Sequence, residues 1–137
     1  MKYKESTSKK LNIKQVNFLR ASVGWPKRRT DKKWREILSK SSFVYTVWDK
    51  DKLIGMGRIL EDGIMCMFYD IVVHKDYQKK GIGTMIMKKL INQVKNKDYT
   101  SIGLFASKNS IKFLGSFYKK FGFKVVNIGM ECKKYMK

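Results

Sequence analysis

The feature that most restricts the fold of this chain is a change of hydrophobic period between residues 64 and 105. Ile64-Met65-Cys66-Met67-Phe68-Tyr69-Asp70-Ile71-Val72-Val73 is an apolar run broken only by Asp70, as expected of a strand covered on both faces at the centre of a sheet. From Gly81 onward Ile82, Met85, Ile86, Leu90, Ile91 and Val94 recur at spacings of three and four, while Lys88, Lys89, Gln93 and Lys95 face away, which is the pattern of an amphipathic helix. Ser101 to Phe105 then reads as a short strand. Strand, helix and strand in that order make a right-handed parallel crossover, so the chain needs a sheet with helices packed on it.

The rest of the sequence fits around that unit. Phe43 to Trp48 and Leu53 to Leu60 read as strands, separated by Asp49-Lys50-Asp51-Lys52 and followed by Glu61-Asp62-Gly63, so with the third strand they form an antiparallel meander. Ahead of it lie two short helices divided by Gly24-Trp25-Pro26. The first, Ile13 to Ala21, carries Val16, Phe18 and Leu19 inside and Lys14 and Arg20 outside; the second, capped by Asp31, carries Trp34, Ile37 and Leu38. A last helix with the stripe Leu114, Phe117, Tyr118 and Phe121 stops at Gly122, and Phe123 to Ile128 and Met130 to Tyr135 are read as closing strands. The expected fold is a single α/β domain over residues 1–137, a mixed sheet flanked by helices.

Charge narrows the function classes. Lys and Arg number 31 against 11 Asp and Glu, a formal charge of +20, yet hydrophobic residues make up 43% and aromatics 13%, which excludes a disordered basic tail. Of the basic residues 26 are Lys and only 5 are Arg, and the Lys pairs are scattered, so a Lys-rich surface accounts for the charge better than a nucleic-acid groove does. Cys66 and Cys132 lie far apart, giving neither a disulfide framework nor a metal site, and read as core thiols in a reducing, cytoplasmic setting. No stretch reaches the roughly 18 apolar residues of a membrane span.

Between the third strand and the long helix lies His74-Lys75-Asp76-Tyr77-Gln78-Lys79-Lys80-Gly81-Ile82-Gly83-Thr84. Two glycines let backbone approach a ligand, the first N–H groups of the helix are free, its dipole favours an anion, and Lys79 and Lys80 add cations at the rim. A P-loop would need Gly-Lys followed by Ser or Thr, and a dinucleotide fingerprint would need a third glycine where Ile86 stands. The segment resembles instead the acetyl-CoA signature of the GNAT superfamily of N-acetyltransferases, Gln or Arg, two residues, Gly, one residue, Gly or Ala, at Gln78 to Gly83. Phe117-Tyr118-Lys119-Lys120-Phe121-Gly122-Phe123 is similar to the family's second signature, Phe-Tyr, three residues, Gly-Phe.

The resemblance implies that backbone from Gln78 through Lys79, Lys80, Gly81, Ile82 and Gly83 to Thr84 holds the coenzyme's pyrophosphate. It also implies that the arm of the coenzyme lies along Ile71, Val72 and Val73, with the Val73 N–H facing the acetyl carbonyl, where it stabilises developing negative charge. Tyr118 matches the tyrosine near the coenzyme sulfur and would be the general acid, since a phenol of pKa about 10 can protonate a thiolate whose acid has pKa about 8.5. An attacking alkylamine, of pKa about 10.4, must lose a proton; Asp70 is the candidate base, against the alternatives of a structural partner for a Lys or Arg and of a water relay. Trp25 and Arg58 are candidate acceptor contacts, Trp34 a further one, and His74 reads as structural. Two departures from the family are Lys75 in place of a proline and Ile111 where many members carry asparagine, with Asn109 two residues earlier.

The expected activity is direct transfer of an acetyl group from acetyl-CoA to a primary amine of a small molecule or peptide, with no metal and no membrane partner. A non-catalytic acetyl-CoA-binding module and, behind it, a basic nucleic-acid-associated protein are the alternatives, and a homodimer is left open. The positive charge leans toward an acceptor of low positive charge.

Overall fold

A computed structural model describes residues 2–27, 29–106, 108–126 and 130–136, with backbone alone over 108–113. The chain divides into two units, Met1–Phe105 and Ala106–Lys137. In the first, β1 (Lys4–Ser6), β2 (Phe43–Asp49), β3 (Lys52–Glu61), β4 (Met65–Val73) and β5 (Ser101–Leu104) form one sheet in that order. The first four are antiparallel neighbours and β5 joins β4 in parallel, so the sheet is mixed, as the change of period requires. Asp62 closes the second turn by accepting from the N–H groups of Ile64 and Met65 at 2.9 and 2.8 Å.

Two strands differ from the sequence reading. β1 was not expected, because Lys-Glu-Ser has no apolar alternation; it is held by pairing with Thr46–Trp48 and by a 2.6 Å hydrogen bond from the Tyr45 hydroxyl to Glu5. The buried centre of the sheet is β3 rather than β4: Leu53 through Ile59 are all buried, whereas in β4 only Cys66, Phe68 and Val72 are. Gly55 and Gly57 masked the apolar character of β3 in the sequence.

Helices α1 (Ile13–Ser22) and α2 (Asp31–Lys40) cover one face. Ile13, Val16, Leu19, Trp34 and Leu38 pack there on Val44, Leu53, Met56 and Val72. Phe18 is not part of this core but 56% exposed. The cap of α2 is Thr30, whose hydroxyl accepts from the Lys33 N–H at 3.1 Å, so Asp31 falls in the first turn, where its charge suits the dipole.

Helix α3 (Ile82–Val94) lies on the opposite face, since Gly55 and Gly57 alternate with Met56. A Cβ on Gly57 would stand 2.8 Å from Ile86 Cγ2 and 3.0 Å from Leu90 Cδ1, and one on Gly55 2.9 Å from Ile82 Cγ2. The two missing side chains therefore let α3 settle against the sheet, which fixes where its N-terminus emerges.

In the second unit, α4 (Lys108–Lys119) presents Phe117 and Tyr118 to a cluster of rings completed by Phe121 and Phe123, with centroids 5.3 to 6.3 Å apart. The helix ends at Gly122, at φ +91°, whose N–H donates to the Lys119 carbonyl at 3.0 Å. The closing strands are not present among the described residues: 123–126 and 130–132 carry no strand, and Lys133–Tyr135 is a single 3₁₀ turn. Val125 and Val126 are exposed, and an alternating run without a pairing neighbour gains nothing from extension. The Ile128 end of that reading lies outside the described residues. Cys132 is exposed, not a core thiol, whereas Cys66 is buried.

Candidate active site

The chemistry-bearing stretch begins at a bulge. Met56 pairs with Val72 and Arg58 with Tyr69, so Gly57 alone faces two residues of β4, Asp70 and Ile71. Asp70 takes up the extra residue with φ +51°, in the left-handed region that Asp tolerates better than most side chains. β5 stops short of this point, its last pairing with β4 being Leu104 with Phe68. From Tyr69 to Val73, β4 thus has β3 on one side and no strand of the described first unit on the other.

The direction of the open groups follows from peptide geometry. The His74 N–H donates to the Ile54 carbonyl on β3 at 2.8 Å. Across a trans peptide the preceding carbonyl points the opposite way, so the Val73 carbonyl faces away from β3, and in an extended residue the N–H shares that side. The N–H groups of Val73 and, two residues earlier, Ile71 accordingly face the open edge, while that of Val72 faces β3.

The loop that follows is tied down by its own side chains. Gln78 Nε2 donates to the Val73 carbonyl at 3.1 Å, so this side chain closes the loop onto the strand instead of reaching outward. His74 Nδ1 accepts from the Asp76 N–H at 3.1 Å, and burial followed by repulsion from Lys52 lowers its pKa from the ordinary value, which keeps it neutral and structural. Lys75 is anchored through its N–H to the Ser22 hydroxyl at 3.1 Å. Lys79 at φ +63° and Gly81 at φ +85° turn the chain into α3.

Gly81 caps α3 with no side chain to bond the first turn, and the first internal hydrogen bond runs from Met85 to the Gly81 carbonyl. The N–H groups of Ile82, Gly83 and Thr84 therefore carry the positive end of the helix dipole without a helical partner. Lys79 and Lys80 are exposed beside them, and Lys80 Nζ lies 5.6 Å from the centre of the Tyr77 ring. Donors suited to a thioester arm and donors suited to a pyrophosphate so follow one another within 71–84, which is the donor set that coenzyme A calls for.

On the α1 and α2 side of the bulge, the structure gathers residues that the sequence kept apart. The Asp70 carboxylate, 5% exposed, accepts from Arg58 Nε at 2.7 Å and from Arg29 at 3.1 and 3.2 Å, and Arg20 Nε stands 3.9 Å away. Arg58 also lies 4.9 Å from the Tyr69 ring, Arg29 4.6 Å from Trp34, and Arg20 between Trp25 at 5.2 Å and Trp34 at 5.6 Å. Both oxygens of Asp70 are thus engaged by arginines, which is the arrangement of the structural alternative expected of it. Arg20 is turned inward, 11% exposed, and not on the outer face of α1. Arg58 is the one of the three that the sequence marks as a candidate contact; Arg20 reads as part of a solvated face and Arg29 is not singled out, and the signal for them is that only 5 Arg occur among so many Lys, with Arg20 and Arg29 on either side of the Trp25-Pro26 break.

Tyr118 belongs to the second unit, and burial raises its pKa above the ordinary phenol value. Among the described residues no helix is long and apolar enough to cross a membrane.

A GNAT acetyltransferase domain model matches residues 12–134. The chain belongs to the GNAT acetyltransferase family. An uncharacterised N-acetyltransferase of Pyropia yezoensis is 35% identical over 123 residues, covering 86% of this chain and 68% of its own length. A solved protein of unknown function from meticillin-resistant Staphylococcus aureus, named a probable acetyltransferase, superposes with a TM-score of 0.80 at 29% identity, covering 96% of this chain and 98% of its own. A GNAT acetyltransferase from Elizabethkingia anophelis, solved with acetyl-CoA bound, shares the fold at a TM-score of 0.66 and 20% identity, over 91% of this chain and 76% of its own. The GNAT chain described here is thus an acetyl-CoA-dependent acyltransferase, and its mixed sheet is the family's.

Proposed function

We propose that this enzyme transfers the acetyl group of acetyl-CoA directly to a primary amine of a small molecule or peptide, with no acyl-enzyme step. The observation that carries this reading is the open edge of β4 leading into the uncapped start of α3. Ile71 and Val73 line the acyl arm through their outward N–H groups, while Val72, expected beside them, is turned to β3 and the core instead; backbone from Gln78 to Thr84, flanked by Lys79 and Lys80, takes the pyrophosphate. When bound, acetyl-CoA supplies the activated thioester.

The neutral amine attacks the acetyl carbon, a C–N bond forms, and the C–S bond breaks. The Val73 N–H faces the carbonyl oxygen and stabilises its growing negative charge. The Tyr118 hydroxyl gives its proton to the departing sulfur, and the proton lost from the amine passes to water rather than to Asp70, whose oxygens are occupied by arginines. Alignment of amine and thioester supplies the larger part of the rate. Two free cysteines suit a reducing compartment such as cytoplasm. Free coenzyme A measured against a panel of amines tests the reading: release that saturates with one acceptor class supports it, and acetyl-CoA binding without turnover on the whole panel contradicts it.

A further inference from the structure

The cluster around Asp70 carries more positive charge than its own fold uses. Three guanidinium groups, from the C-terminal half of α1, the segment before α2, and β3, meet one carboxylate, which leaves two positive charges in excess within a few ångströms. Among the described residues two buried donors there have no acceptor: Arg20 Nε and, fully buried beneath Arg20 and Arg29, Trp34 Nε1. Burial and then repulsion from Arg29 lower Arg20 below the ordinary arginine value, with Asp70 acting the other way, as happens when cations outnumber their counter-charge. Arg29 remains 28% exposed, so the cluster is open to solvent on its side.

A purely structural ion pair would need one arginine, and Arg58 already provides it at 2.7 Å. The remaining forks lie over Trp25 and Trp34 beside the bulge, and planar forks of this kind match carboxylate and phosphate oxygens. Asp70 adjoins Ile71 and precedes Val73 by three residues, about 10 Å along a strand. An amine poised at Val73 would thus bring to the arginines a substituent that extends along β4 toward the bulge.

We infer that the acceptor is an amine bearing an oxyanion, a carboxylate or a phosphate, and that Arg20 and Arg29, stacked on Trp25 and Trp34 and pre-set by Asp70, bind that oxyanion. The inference rests on the acetyltransferase reading and specifies its substrate. Arg29 is the specificity-determining residue, being the most exposed of the three; Asp70 is a positioning residue.

The test compares kcat/KM for amines matched in all but the oxyanion: an amino acid with its amide, and an aminosugar phosphate with the free aminosugar. The enzyme prefers the anionic member in at least one pair, and the pair tells carboxylate from phosphate. Arg29→Gln lowers that preference by about 10- to 100-fold, the worth of a charge-assisted hydrogen bond, and Arg29→Lys restores part of it. Arg35→Gln, on the exposed face of α2, keeps the wild-type preference. Equal or better use of the neutral member in both pairs overturns the inference while leaving acetyl transfer intact, and so does an unchanged preference in Arg29→Gln. If no amine is turned over, the acetyltransferase reading fails instead. The oxyanion site at Arg20 and Arg29 is then decided on its own by titrating the CoA-saturated protein with inorganic phosphate, read by tryptophan fluorescence: weaker binding by Arg29→Gln supports it, and absent wild-type binding or equal binding by the variant overturns it.

Discussion

Burial raises the Tyr118 phenol, so its hydroxyl keeps its proton throughout the neutral range, which suits the proton-donor role proposed for it. The protonated form is the active one, so activity persists below the raised value and falls only as pH rises through it. The alkaline limb of kcat is therefore expected above pH 10, the ordinary phenol value being about that. Tyr118→Phe should lower kcat roughly 10²-fold with little change in KM and remove that limb; a variant of full activity would take the acid role from this residue. Asp70 poses the opposite case, a carboxylate whose oxygens are all engaged. Asp70→Ala leaves Arg58, Arg20 and Arg29 crowded with no counter-charge, and should cost about 3–5 kcal/mol in urea unfolding, as breaking a buried ion pair does. A loss below 1 kcal/mol would mean that solvent already screens the arginines.

The working parts of the first unit are element junctions: the bulge in β4, the end of β5, and the glycine turn into α3. α3 sits close to the sheet because Gly57 leaves room for Ile86 and Leu90, so Gly57→Ala should push it outward and destabilise by about 1–3 kcal/mol on chemical denaturation. Gly81 holds φ +85° with open space around it, so Gly81→Ala meets no clash but pays the left-handed penalty of about 1–2 kcal/mol. Calorimetry should find weaker coenzyme A binding in that variant, because the N–H groups of Ile82, Gly83 and Thr84 lose their aim.

These junctions were unevenly legible. The helical period after Gly81 and the apolar run before it imply the crossover, and the spacing of Gln78, Gly81 and Gly83 points to the turn into α3, where the anion site is proposed. The bulge left no trace in the sequence, because it arises from how many residues of β3 face β4, a property of pairing and not of either strand. β1 was silent for the same reason, its three polar residues being held by β2 alone. Arg20 reads as surface because charge is an average guide to exposure, and Arg29 carries no pattern that singles it out; Asp70 and the tryptophans beside them make their partial burial tolerable.

At the scale of the whole molecule, the charge of +20 separates into two parts. Most of it is Lys spread over the exterior, which favours solubility and draws anions in general without choosing one. The rest is placed: Lys79 and Lys80 beside the start of α3, and three of the 5 arginines on the β4 bulge. A nucleic-acid binder would concentrate its charge along one groove, whereas here the placed cations lie against the β4 bulge and beside the turn into α3, where the proposed acceptor and coenzyme would bring their anionic groups. Residues 70–84 are proposed to bring acetyl-CoA and an amine together. The most direct test is the release of free coenzyme A from acetyl-CoA in the presence of amine acceptors, with the acetylated amine identified by mass. The account predicts saturable, amine-dependent release in equal amount to N-acetyl product; release that is independent of amine, or tight acetyl-CoA binding with no product from any acceptor, would contradict it.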